Sequence, residues 1–144
     1  MKKMILIGKT GCGKTTLFQK LHAQQIEYRK TQAVDYYNKV IDTPGEYMEN
    51  RSYYKALIVT AADADIIGLV QDCTEEDTYF PPSFGSSFPK PIIGIITKVD
   101  LAKSPEQLEK ARMYLEMASA AAIFETSVWT GAGIAELEQF LVQS

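Results

Sequence analysis

Short apolar runs recur along the chain, and turn residues close almost every one of them. Lys3-Met4-Ile5-Leu6-Ile7 stops at Gly8, and Tyr36 to Ile41 stops at Asp42-Thr43-Pro44-Gly45. Asp65 to Gln71, Pro91 to Thr97 and Ala122 to Glu125 complete the set. Each has the length of a buried strand. Pro91 to Thr97 is apolar on both faces, which predicts a central position. Between the runs the spacing turns helical. Thr15 to Leu21 puts Leu17, Phe18 and Leu21 on one face, and Arg51 to Ala62 groups Tyr54, Leu57 and Ile58. Ser104-Pro105-Glu106 reads as a helix start running to about Ser119, with Leu108, Ala111, Leu115 and Ala118 inward. Gly133 to Val142 is the last helix. Strands alternating with helices predict one α/β domain over residues 1–144 with a parallel sheet.

Two stretches break the alternation. Ala23 to Asp35 is polar. Asp72 to Lys90 holds acidic residues and then Tyr79-Phe80-Pro81-Pro82-Ser83-Phe84-Gly85-Ser86-Ser87-Phe88-Pro89, through which no long helix can pass. Pro82 can open a turn or two, and the aromatic residues are expected to cap the sheet where a helix is missing. The composition is ordinary for a globular chain, 46% apolar with a net charge of −3. No basic excess points to nucleic acid, and no apolar run approaches bilayer length. Gly8 and Lys9 end the first run too early for a secretory signal, so a buried strand and a cytoplasmic location are expected. Cys12 and Cys73 have no metal-ligand spacing and are expected to be free thiols.

The first turn carries the strongest chemistry. Gly8-Lys9-Thr10-Gly11-Cys12-Gly13-Lys14-Thr15 reads G-x-x-x-x-G-K-T between a strand and a helix. In that context the glycines let successive backbone N–H groups, with those of Thr15 and Thr16, face phosphate oxygens at the positive end of a helix. Lys14 adds a full charge on the β/γ-phosphates and Thr15 a hydroxyl for Mg²⁺. Asp42-Thr43-Pro44-Gly45 supplies D-x-x-G at the next strand end, with Asp42 on the metal and the Gly45 N–H toward the γ-phosphate. Thr97-Lys98-Val99-Asp100 matches [NT]-K-x-D. Its aspartate accepts from both N–H groups of the guanine edge, a pair adenine does not offer.

These motifs, in this order, resemble the small GTPases. Glu125-Thr126-Ser127-Val128-Trp129-Thr130-Gly131-Ala132-Gly133-Ile134 resembles the E-T-S-A-x-x-G-x-G-I segment of bacterial GTPases, which implies that Ser127 and Val128 adjoin the base. Val128 stands where that family has alanine, and Trp129 where many members have lysine. Trp129 either stacks on the base or a partner, or half-buries against the sheet edge. The resemblance implies a P-loop NTPase fold, GTP/GDP and Mg²⁺ as ligands, and hydrolysis of GTP. It also makes Thr31 the switch threonine over the metal and γ-phosphate. Lys14, Gly45 and Glu46 then act at the reacting end, with Glu46 where Ras-like chains carry glutamine. A carboxylate there is repelled by the γ-phosphate, so slow, partner-dependent hydrolysis is expected. Closer still, Lys30-Thr31-Gln32-Ala33-Val34 and Ile41-Asp42-Thr43-Pro44-Gly45-Glu46-Tyr47 resemble the EutP/PduV family. That resemblance implies ethanolamine or propanediol utilisation and association with bacterial microcompartments.

Spacing adds a fold prediction. Thr31 to Asp42 spans eleven positions, whereas a hairpin of two ordinary strands needs roughly twelve residues before any loop. The antiparallel edge strand of Ras-like proteins is therefore predicted absent, leaving five parallel strands in the order 2-1-3-4-5 between two helical layers. The exposed edge this leaves at Tyr36 to Ile41 needs covering, by a homodimer or a pathway protein. Two other functions stay open: an ATP-dependent phosphotransferase acting on a small acid or alcohol, and a non-enzymatic microcompartment docking module.

Overall fold

The computed structural model describes residues 2–31 and 40–142. Its sheet has five strands: β1 (Met4–Ile7), β2 (Val40–Asp42), β3 (Ile66–Asp72), β4 (Ile92–Thr97) and β5 (Ala122–Glu125). All pairings are parallel and the order is β2-β1-β3-β4-β5, as the spacing predicts. No antiparallel strand occurs among the described residues. Ile41 pairs with Ile5, Ile67 with both Ile5 and Ile92, and Ile95 with Phe124. β3 and β4 are buried at every position, so both of their faces are covered. Residues 36–39, the first part of the expected second strand, lie outside the described residues.

Alternation along the strands divides the core. Met4, Leu6, Ile66 and Ile95 face a layer made by α1 (Lys14–Thr31) and α5 (Ile134–Val142), through Leu17, Leu21, Leu137 and Leu141. Ile5, Ile7, Ile67 and Ile96 face the opposite layer. There stand α2 (Glu46–Glu49), α3 (Tyr54–Ala61) and α4 (Pro105–Met117), through Met48, Leu57, Ala61, Ala111 and Leu115. Two differences from expectation stand in this layer. The helix foreseen over Arg51 to Ala62 is a 3₁₀ turn, Arg51–Tyr53, followed by α3. Ile58 is exposed, and Ala61 joins Leu57 in the core, because the 3₁₀ entry rotates the helix face.

Asp72 to Lys90 replaces a helix with aromatic packing. Its one regular element is the 3₁₀ turn Phe84–Ser87. Phe84 sits 5.4 Å from Phe88, 5.6 Å from Phe80 and 5.5 Å from Tyr54, centroid to centroid. The Ser83 and Gly85 N–H groups donate to the carbonyls of Met117 and Ala118, so the segment is sewn onto the end of α4. Phe80, Phe84 and Phe88 cap the sheet as foreseen, while Tyr79 is exposed. Cys12 and Cys73 are buried free thiols. Among the described residues, no helix is long and apolar enough to cross a membrane.

Candidate nucleotide site

The carboxyl ends of β1, β3 and β4 open onto two adjoining cavities, the crevice where open α/β sheets bind ligands. The first holds about 270 Å³ and is walled by residues 9–11 and 13–16, with Gly45 and Lys98. The second holds about 350 Å³ and is walled by Thr97, Lys98, Asp100, Leu101, Thr126, Val128 and Trp129. Gly13, Thr16 and Lys98 border both, so one ligand with a polyanionic end and a ring end can span them.

The loop leaving β1 curls through Gly11 (φ +83) and Gly13 (φ +90) before α1 begins at Lys14. At Gly13 the left-handed conformation coincides with a close neighbour, because a Cβ there would lie 3.2 Å from Thr97 Oγ1. Thr97 Oγ1 itself donates to the Cys12 carbonyl at 2.5 Å, tying the loop to the end of β4. Burial pushes the Cys12 thiol above its ordinary range, against the pull of the Lys14 N–H and ammonium. Lys14 Nζ lies 2.6 Å from Asp42 Oδ1 and also donates to the Thr43 carbonyl. Thr15 Oγ1 donates to the other Asp42 oxygen at 3.1 Å. A hydroxyl and a carboxylate oxygen thus converge at the loop. Mg²⁺ takes such hard donors, completing its shell with water and phosphate oxygens.

Gly45, the end of D-x-x-G, packs so closely that a Cβ would overlap the Thr10 backbone nitrogen. The first turn of α2 therefore lies on the phosphate loop. Glu46 opens that helix with an exposed side chain. Glu49, one turn later, reaches the loop and accepts from the Thr10 N–H at 3.0 Å. Lys9 turns toward the segment after β3. It pairs with Glu75 at 2.9 Å and lies 5.4 Å from the Tyr79 ring centre, and the bond to Glu75 raises its ammonium above the ordinary lysine value. Thr31 is not brought to the site in this arrangement. The polar stretch from Ala23 continues α1, and Thr31 is its last residue, about 25 Å along the axis from Lys14 at 1.5 Å per residue.

The second cavity is built on Lys98, whose φ of +61 is a left-handed backbone rare outside glycine. This conformation lets Nζ reach back to the Gly11 carbonyl at 3.0 Å and to Asp72 at 2.8 Å. Asp72 ends β3, is only 3% exposed and also accepts from the Thr74 N–H at 2.8 Å. Asp100 follows in a 3₁₀ turn and accepts from Ser127 Oγ at 2.7 Å. Ser127 Oγ accepts in turn from the Thr130 N–H, and the Gly131 N–H closes on the Ser127 carbonyl at 2.8 Å. Trp129, at the tip of this turn, is 88% exposed, so it does not half-bury against the sheet edge.

The structure therefore gathers Lys9 to Gly11, Gly13 to Thr16, Gly45, Thr97, Lys98, Asp100 and Val128 around one crevice, joins Asp42 to it through Lys14 and Thr15 and Ser127 through Asp100, and buries Cys12 and Gly8 beneath it. Three further residues belong with them. Asp72 had one signal in the sequence, a carboxylate closing a buried strand at the crevice edge. Glu49 and Leu101 had none.

Comparison with known proteins bears on family and fold. Residues 1–143 match the PduV-EutP family, described as ethanolamine utilisation - propanediol utilisation. The propanediol utilization protein PduV of Citrobacter freundii is 42% identical, over 98% of this chain and 93% of its own length. The probable acetate kinase EutP of Escherichia coli K12 is 38% identical over 70% of this chain and 65% of its own length. In fold, the chain is similar to the translation elongation factor SelB of Methanococcus maripaludis, solved with the GTP analogue GppNHp. The TM-score is 0.66 at 21% identity, covering 99% of this chain and 33% of that one. A GTPase-like five-stranded parallel fold and a match along nearly its whole length make this chain a member of the PduV-EutP family.

Proposed function

We propose that this protein binds guanine nucleotide with Mg²⁺ and hydrolyses GTP to GDP slowly, as a switch or accessory in ethanolamine or propanediol utilisation. One observation carries the reading: Asp100, oriented by Ser127 at 2.7 Å, stands in the ring-sized cavity that adjoins the phosphate loop. A carboxylate held there accepts two N–H donors from guanine and meets no matching pair on adenine, which leaves a desolvated charge unpaired with the wrong base.

Each group has a defined task. The loop N–H groups hold the phosphate oxygens, and Lys14 leaves Asp42 to neutralise the β/γ-phosphates. Thr15 and Asp42 are then free to hold Mg²⁺, which when bound spreads the charge of the leaving diphosphate. Gly45 presents its N–H to the γ-phosphate. Glu46, beside it, orients water poorly because like charges repel, which keeps the intrinsic rate low. Thr31 serves the metal only if the last turns of α1 unwind.

A second reading has specific support in the name of the EutP relatives, probable acetate kinase. It makes the chain transfer a phosphoryl group from ATP to a small carboxylate. Product analysis separates the two. Purified protein with Mg²⁺ should release inorganic phosphate from GTP and form no acyl phosphate from ATP and acetate, trapped as the hydroxamate. Acyl phosphate formation lost in Lys14→Ala would transfer the assignment to the kinase.

A further inference from the structure

We propose that Trp129 is an affinity-determining lid of the base cavity, its indole stacking on the purine face while Asp100 reads the purine edge. This rests on the guanine-nucleotide reading above and takes one of the positions the sequence leaves open for Trp129, on the base.

Three observations carry it. The first is exposure: at 88%, the indole is the most exposed large apolar side chain among the described residues, yet it borders a 350 Å³ cavity. An aromatic ring left in water beside a ring-sized cavity has a face to offer. The second is company. Leu101, 54% exposed, and Val128 wall the same cavity, so apolar surface stands beside the exposed Asp100 carboxylate. A planar heteroaromatic base suits that mixture, with its edge polar and its faces apolar. The third is attachment. Ser127 Oγ bonds Asp100 at 2.7 Å, and the same hydroxyl receives the Thr130 N–H at 3.2 Å. With the Gly131 N–H on the Ser127 carbonyl, the turn carrying Trp129 is tied to the edge-reading carboxylate through one serine. Lid and reader are therefore placed together.

The chain contains one tryptophan, so its own fluorescence reports on the lid. Titration of the full-length protein with Mg·GDP should change the emission of Trp129 saturably, and Mg·ADP should not. Trp129→Ala should melt like the wild type, because the side chain is not in the core. It should weaken GDP binding roughly tenfold or more, the scale of base–aromatic stacking, while Trp129→Phe keeps most of the affinity. GDP binding by calorimetry with unchanged emission, and Trp129→Ala within twofold of wild type, would overturn the lid and leave the guanine reading standing. Wild-type protein that binds no guanine nucleotide would remove both.

Discussion

At the phosphate end of the crevice, the polar groups are engaged with one another. Lys14 is on Asp42 and the Thr43 carbonyl, Thr15 is on Asp42, and the Thr10 N–H is on Glu49. At the base end, the carboxylate that matters is oriented by a single serine, and it faces a cavity of about 350 Å³. A ligand entering the base end meets groups already in place. A ligand entering the phosphate end must exchange internal partners for its own oxygens, so part of its binding energy goes into rearrangement. On the proposed reading, identity of the base is read by a preformed surface. On the same reading, the number of phosphates is read by a surface that has to change, as the proposed switch requires.

The aromatic cap tests how far this contrast depends on the scaffold. Phe84 lies under β3 and β4, whose ends carry Asp72, Thr97 and Lys98. Phe84→Ala should cost about 3–5 kcal/mol in urea unfolding. Below the transition, the surviving folded protein should keep its preference among bases. A change of base preference without loss of stability would mean that the base end is less preformed than its hydrogen bonds indicate.

Next in size is Lys14→Ala. It should lower affinity for GDP by about a hundredfold in calorimetry, the scale of a lost charge-assisted contact to phosphate. A loss under threefold would show that the phosphate end contributes little. A smaller effect is expected at Glu49. Its carboxylate lies on the phosphate loop at Thr10, beside the place the proposed reading gives the γ-phosphate. Glu49→Gln should shift the affinity ratio toward a non-hydrolysable GTP analogue over GDP by about fivefold, as relief of one partly screened repulsion. An unchanged ratio would sever Glu49 from the switch.

The smallest effect concerns pH. Burial raises the thiols of Cys12, in the phosphate loop, and Cys73. The folded state therefore keeps protons that the unfolded chain releases. Stability should be flat below the ordinary thiol range and decline slightly as pH rises through it, and Cys12→Ala should flatten that decline in thermal melts.

Local pattern made the fold legible. β5 occupies Ala122–Glu125 as read, because an apolar run between a helix end and a polar turn has few other solutions. The all-parallel order followed from counting residues between Thr31 and Asp42, a matter of chain length. The curl of the phosphate loop was legible because glycine spacing encodes a backbone shape, and the place of Asp100 at the crevice because its motif follows a strand end. Illegible were contacts between distant residues with no local consequence, Glu49 with Thr10 and Lys98 with Asp72. The extension of α1 to Thr31 was hidden because a polar stretch reads equally as loop or helix. The solvent-facing position of Trp129 depends on how the Ser127 turn closes, which no periodicity reports.

The central claim is that a preformed base end selects guanine, and calorimetric competition tests it most directly. Wild-type protein with Mg²⁺ should bind GDP at least a hundredfold more tightly than ADP. Asp100→Asn should lose that preference and gain affinity for xanthosine diphosphate, whose edge presents the complementary acceptor. Equal or tighter binding of ADP by the wild type, undisturbed in Asp100→Asn, would contradict the account.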